Sequence, residues 1–259
     1  MVLGLIPARY ASTRLPGKPL VDLGGQSMIE RVVRQAQLPG TGLDRVVVAT
    51  DDERILRHVQ EFGGEAVLTR PDHASGTDRV WEAYQLLGSD PNVRCIVNIQ
   101  GDEPFVQPAQ ISALVMLFLV DLFAPEPTAP AIATLVKPVV SREELFSPHL
   151  PKVVLNQHGE ALYFSRHPLP YQRGRSEADW LAHHRYLRHL GLYAYQPAVL
   201  AQLTQLPVSP LEAAESLEQL RWLEAGFTIR CAETELDAFG IDTPEDVERA
   251  RARLAADEK

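Results

Sequence analysis

Three cations and a glycine lie within ten residues near the start of the chain. Arg9, Arg14 and Lys18 are carried by the stretch Leu3–Leu20, LGLIPARYASTRLPGKPL, with Pro16-Gly17 just ahead of the lysine. A loop of this kind after an apolar strand suits a polyphosphate. Backbone N–H groups point into the concavity, while Arg and Lys neutralise charge on an anion withdrawn from water. The pattern is neither G-x-x-x-x-G-K-[ST] nor G-x-G-x-x-G, and the same composition also suits a solvated basic loop between core strands. Two carboxylates complement it. Asp102, in Gln100-Gly101-Asp102-Glu103-Pro104, follows a strand end and a glycine, a rigid placement that suits Mg²⁺, which takes few protein ligands and leaves room for phosphate oxygens. Asp242 precedes Thr243-Pro244-Glu245-Asp246, which already supplies an N-cap, a first-turn Pro and an acid at the third position, so Asp242 is spare. Spacing alone does not bring these two acids together.

The elements that must position these groups follow from periodicity. Val2–Pro7, Arg45–Thr50, Glu65–Leu68 and Cys95–Ile99 read as strands. They alternate with helices at Gln26–Gln37 (Ser27 as N-cap), Asp51 to about Glu61, and Asp78–Leu87. Asp51-Asp52-Glu53 is expected to act as cap and dipole partner. Alternation of this kind predicts a doubly wound, mainly parallel sheet that binds ligands at the carboxyl ends of its strands. The first loop and QGDEP then open onto one edge. Further on, a Pro-rich connector (APEPTAPA) leads to a strand at Ile132–Val136, and Lys152–Leu155 and Ala161–Arg166 form a hairpin through NQHGE. Residues 167–186 are predicted to be a long mobile surface loop. Leu190–Tyr195 and Phe227–Ala232 read as strands, Pro197–Leu206 and Pro210–Ala225 as helices, and a charged helix runs from Thr243 to the end. No linker divides the chain, so residues 1–259 are expected to form one domain, with about 150–195 a strand-and-loop region.

Bulk properties exclude several classes of function. The 259 residues carry 45% hydrophobic and 23% charged residues, ordinary for a globular protein. A formal net charge of −9 argues against nucleic acid or an anionic membrane as the main partner, though not against a nucleotide. Cys95 and Cys231 have no metal-ligand spacing and are expected to be buried, inert thiols in a reducing compartment. No signal peptide is visible, and the most apolar run, Ile111–Phe123, is too short to span a bilayer and is broken by Asp121.

Beyond these readings, the chain resembles the 3-deoxy-manno-octulosonate cytidylyltransferase (CMP-Kdo synthetase) family. The resemblance rests on IPARYASTRLPGKPL (6–20), VATDDE (48–53), DHASGTDR (72–79), VNIQGDEP (97–104), KVVL (152–155), ALYFSR (161–166), RHLGLYAY (188–195), PLE (210–212), LEQLR (217–221) and GIDTPED (240–246), in order and nearly end to end. It implies a nucleotide-diphospho-sugar transferase (Rossmann-like) fold. The implied reaction is CTP + Kdo → CMP-Kdo + diphosphate, Mg²⁺-dependent, in the cytoplasm, for lipopolysaccharide assembly, by a homodimer. By position it gives Arg9, Arg14 and Lys18, beside Pro7 and Ala8, to the triphosphate; Arg70, Ser75, Gly76 and Gln100 to the nucleotide; and Asp102 and Asp242 to the metal. Arg166, His189, Tyr193, Glu212, Glu218 and Gln219 go to the sugar acid, with Arg166 and His189 as the cations available to its carboxylate. Read without the resemblance, His189 suits a core histidine, and Tyr193 and Tyr195, at one parity, suit core packing. The chain departs from the family at ELDAF (235–239), ahead of Asp242. Rival readings are an 8-amino-Kdo or sialic-acid cytidylyltransferase and a non-catalytic nucleotide-binding module.

Overall fold

Every residue of Val2–Ala8 (β1) but Pro7 is buried, as expected of a strand covered on both faces. The computed structural model describes residues 1–12, 14–119, 130–237 and 239–257. After β1 come α1 (Met28–Gln37), β2 (Arg45–Thr50), α2 (Glu53–Glu61), β3 (Glu65–Leu68), α3 (Gly76–Leu86), β4 (Cys95–Asn98) and α4 (Pro108–Leu119). β1 pairs in parallel with β2 and β4, and β2 in parallel with β3, giving the order β3-β2-β1-β4. The direction of winding reverses between β1 and β4. The loops leaving the carboxyl ends of those two strands therefore flank a crevice, the usual ligand position in such sheets. Helix starts are fixed locally. Ser27 Oγ accepts the Glu30 N–H at 3.2 Å, and Ser75 and Asp78 form a reciprocal capping box on α3.

By contacts the chain divides into two compact units, residues 1–115 with 238–259, and residues 116–237. The second unit contains β5 (Ile132–Pro138), α5 (Arg142–Phe146), β6 (Lys152–Leu155), β7 (Ala161–Ser165), α6 (Trp180–His183), β8 (Leu187–Tyr195), α7 (Pro197–Leu203), α8 (Pro210–Glu215), α9 (Gln219–Glu224) and β9 (Ile229–Glu233). β5 lies between antiparallel β8 and parallel β9, and β6 joins β8 to β7, with antiparallel pairings. The chain then returns to the first unit through α10 (Pro244–Asp257), whose Val247 and Ala250 pack with Leu23, Met28 and Ile241.

Two expectations change. The helix predicted over Pro210–Ala225 is broken into α8 and α9 because Ser216 adopts left-handed backbone, φ 51°. Residues 167–186 do not form a bare surface loop. Trp180 is 1% exposed, and its ring stacks on Phe146 and Tyr186 at 5.9 and 6.2 Å and meets Tyr171 edge-on, so α6 sits on an aromatic cluster. Most of the Pro-rich connector and the end of the predicted 111–123 helix lie outside the described residues. Among the described residues no helix is long and apolar enough to cross a membrane. Cys95 is buried, whereas Cys231, expected to be so too, is only half-buried; burial pushes both thiols up to about 12.

Candidate active site

Lys18 sits where the basic loop turns into a single 3₁₀ turn. Gly17, at φ 67°, makes that turn, and its N–H donates to the Tyr10 carbonyl at 3.1 Å. The loop is thereby closed with Arg9 and Lys18 beside its two closing residues. Lys18 Nζ donates to Asp102 Oδ2 at 2.7 Å and to Asp242 Oδ1 at 3.1 Å, and Arg14 Nη2 lies 3.0 Å from Asp242 Oδ2. The side chain of Lys18 is only 14% exposed and that of Arg14 is 62% exposed. One cation is fixed within the cleft, and the other reaches over its mouth.

Two backbone contacts explain the convergence of the acids. A Cβ on Gly101 would lie 2.6 Å from the Pro7 carbonyl oxygen, so only glycine lets the loop after β4 pass this close to the end of β1. The Ile241 N–H donates to the Asp102 carbonyl at 2.9 Å, seating the segment before α10 against the same loop. Asp246 accepts the N–H groups of Asp242 and Thr243 at 3.0 and 2.9 Å, leaving the Asp242 carboxylate to the cleft. Burial alone would raise the Asp246 pKa. The donors from Asp242, Arg249 and Thr243 outweigh it and hold the carboxyl below its ordinary range. Burial, with the Asp102 charge adding to it, pushes Glu103 up to about 8.

The cleft, about 290 Å³, is lined by Pro7, Ala8, Arg9, Arg14 and Lys18 from the first loop and by Ser75 and Gly76 at the start of α3. Gln100, Asp102 and Asp242 close it. These nucleotide- and metal-side candidates share one concavity. Arg70 does not line it. Its side chain is 67% exposed, with Asp72 and Glu82 each 3.6 Å away.

Three lining or supporting residues were not singled out by the sequence. His73 lines the cleft with its Nε2 against the Glu82 carboxylate. Burial works against the Glu82 charge, but His73, the Arg70 N–H and the nearby cations hold its pKa down. Arg79, 4% exposed, donates to Asp51 Oδ2 at 3.0 Å and to Thr69 Oγ1 at 2.6 Å. Asp52 is the N-cap of α2, as expected, but Asp51 is not part of the cap. It binds Arg79 and accepts the Tyr10 N–H at 3.3 Å. The acidic triplet thus divides its labour, which its spacing alone does not reveal.

The sugar-side candidates belong to the second unit. His189 is 9% exposed. Its ring packs edge-on against Phe164 at 5.1 Å and lies 5.2 Å from Tyr193, and its Nε2 is 2.9 Å from Thr134 Oγ1. Burial drops its pKa to about 3. His189 is therefore neutral, not the cation expected for a carboxylate. Tyr193 stacks on Tyr195 at 5.9 Å and meets Trp222 edge-on at 5.2 Å, and the bulge between Thr134 and Leu135 aims this stretch of β8. Arg166 directs Nε, Nη1 and Nη2 to the carbonyls of Glu215 (2.6 Å), Pro148 (2.8 Å) and Ser216 (3.1 Å). Its guanidinium thus satisfies the Glu215 and Ser216 carbonyls where α8 ends and ties them to Pro148. Glu212 closes the capping box of α8, and Glu218 accepts from Arg221 at 2.5 Å. Gln219 Nε2 and the Trp222 indole N–H are buried with no hydrogen-bond partner among the described residues.

A cytidylyltransferase family profile matches residues 3–231. A 3-deoxy-manno-octulosonate cytidylyltransferase from Parabacteroides distasonis is 53% identical, covering 98% of each chain. The chain belongs to the 3-deoxy-manno-octulosonate cytidylyltransferase family. The solved structure of a CMP:2-keto-3-deoxy-manno-octonic acid synthetase in complex with CTP aligns over 99% of each chain at 43% identity and a TM-score of 0.87. At 20% identity and a TM-score of 0.64, a putative glucose-1-phosphate thymidylyltransferase from Bacillus anthracis shares the fold, covering 99% of this chain and 96% of its own. The family's nucleotide-diphospho-sugar transferase fold accounts for the reversal of winding beside the cleft.

Among the described residues, no three His, Cys, Asp or Glu side chains gather as a metal cluster. Mg²⁺ does not need one, since it commonly takes one or two carboxylates and fills the remaining positions with water and phosphate oxygens. Asp102 and Asp242 fit that donor set. Both place a hard oxygen on one cation, the Lys18 ammonium, at the edge of the basic loop.

Proposed function

We propose that the chain transfers the cytidylyl group of CTP to the anomeric hydroxyl of Kdo, forming CMP-Kdo and diphosphate, as a Mg²⁺-dependent cytoplasmic homodimer supplying lipopolysaccharide assembly. The observation that carries this reading is the placement of Lys18 Nζ on both Asp102 and Asp242 within a cleft that also receives Arg9 and Arg14. The family relationship supplies the nucleotide and the sugar acid.

In this reading Arg9, Arg14 and Lys18 grip the triphosphate, and Lys18 moves from the carboxylates to the oxygens that gain charge as diphosphate leaves. Asp102 and Asp242 would hold the metal, which would neutralise phosphate charge and lower the pKa of the attacking hydroxyl. Ser75, Gly76 and Gln100 contact the nucleoside. Tyr193, Glu218 and Gln219 fix the sugar acid, with Glu212 and Arg166 supporting that pocket. His189, being neutral, contributes a hydrogen bond there instead of a charge.

A diphosphate-release assay with CTP, Mg²⁺ and, in turn, Kdo, 8-amino-Kdo and sialic acid tests this. Turnover fastest with Kdo is expected. Preference for another acid reassigns the substrate, and CTP binding without diphosphate release makes the protein a nucleotide-binding module.

A further inference from the structure

Asp51 and Arg79 lie outside every role assigned above, yet they tie the cleft together. Arg79 is buried on α3, and its guanidinium reaches the end of β2 through Asp51 and the end of β3 through Thr69 Oγ1 and the Arg70 carbonyl (3.2 Å). Thr69 is itself tied to β2, donating its N–H and its hydroxyl to the Thr50 carbonyl at 2.7 and 3.1 Å. The second oxygen of Asp51 takes the Tyr10 N–H.

Tyr10 in turn closes the basic loop. Its carbonyl accepts the Gly17 N–H, and a Cβ on Gly17 would sit 3.2 Å from the tyrosine ring. The Arg54 guanidinium lies 3.5 Å above the centre of that ring. The neighbours of Tyr10 and Gly17 are Arg9 and Lys18, so whatever fixes this closure fixes two of the loop's cations. An exposed loop of Arg and Lys would otherwise lose side-chain and backbone entropy when it bound an anion.

We propose that Asp51 and Arg79 are positioning residues for the triphosphate-gripping loop, acting through Tyr10, which they anchor to the carboxyl end of the parallel sheet. This rests on the reading of the first-unit cleft as a nucleoside triphosphate site.

The test measures CTP binding by calorimetry, apparent KM for CTP and for Kdo, and thermal unfolding, for the intact protein and for Asp51→Ala, Asp51→Asn and Tyr10→Leu. Asp51→Ala is expected to weaken CTP binding about tenfold or more, with the KM for Kdo within about twofold of the parent. Asp51→Asn keeps an acceptor for the Tyr10 N–H but loses the charge on Arg79, so it should fall between the two. Tyr10→Leu keeps the backbone N–H and carbonyl that Asp51 and Gly17 engage and loses only the ring beneath Arg54, so it should weaken CTP binding less than Asp51→Ala does. Asp51→Asn decides the matter if Asp51→Ala does not fold. Loss of stability with CTP affinity unchanged in the folded variants would overturn the positioning role. An intact protein that fails to bind CTP would instead overturn the functional reading on which the role rests.

Discussion

Lys18 combines two tasks. At rest its ammonium separates Asp102 from Asp242, and in the proposed reaction it meets the leaving diphosphate. Lys18→Ala should cut turnover by about 10²-fold or more, the usual effect of losing one transition-state charge partner. Asp102→Asn should abolish turnover with the circular dichroism spectrum unchanged; parent-like rates would remove Asp102 from the metal site. His189 makes a separate, pH-dependent prediction. Its folded pKa of about 3 lies below the unfolded value of about 6.5. The unfolded chain therefore binds the extra proton first as pH falls, and stability drops below pH 6.5. Between pH 7 and pH 5 this one group should cost about 2 kcal/mol, a loss that His189→Gln should remove from the denaturation profile. His189→Ala should raise the KM for Kdo more than it weakens CTP binding.

At the scale of elements, the first unit works because two loops pass closer than side chains allow. Gly101→Ala would drive a methyl group into the Pro7 carbonyl oxygen. It should cost about 1–3 kcal/mol in denaturant unfolding and lower kcat further than the loss of stability explains, because Asp102 is displaced with the loop. Much of this architecture is legible locally. The caps at Ser27 and Asp52 and the surplus carboxylate of Asp242 each follow from neighbours within a few residues. Asp51 is not legible in that way. It stands beside a true cap residue, and its partners Arg79 and Tyr10 reach it only through folding. The same holds for residues 167–186, whose polar composition reads as loop while a single buried indole, Trp180, organises the segment. Ser216 escapes for another reason. A left-handed serine has no sequence signature, and the Glu215 and Ser216 carbonyls held by Arg166 stabilise the break.

For the whole molecule, self-association is a question of which surface can overcome like charge. Each 28.8 kDa chain carries a net charge of −9, so two copies repel until apolar area or strand pairing outweighs the repulsion. β7 offers both. Among the described residues it pairs as a strand with β6 alone, with Glu160 just before it bridged to Arg230 of β9, and Leu162 on it is 58% exposed, a largely open strand edge of the kind that pairs with a second copy. Sedimentation equilibrium should therefore give about twice the chain mass, with the dimer tightening as salt screens the repulsion. Leu162→Lys removes the apolar contact and adds a cation to the edge of each copy, so it should shift the equilibrium toward 28.8 kDa while leaving the far-ultraviolet dichroism unchanged. A parent protein sedimenting as a monomer, or a Leu162→Lys variant as dimeric as the parent, would each count against this edge as the interface.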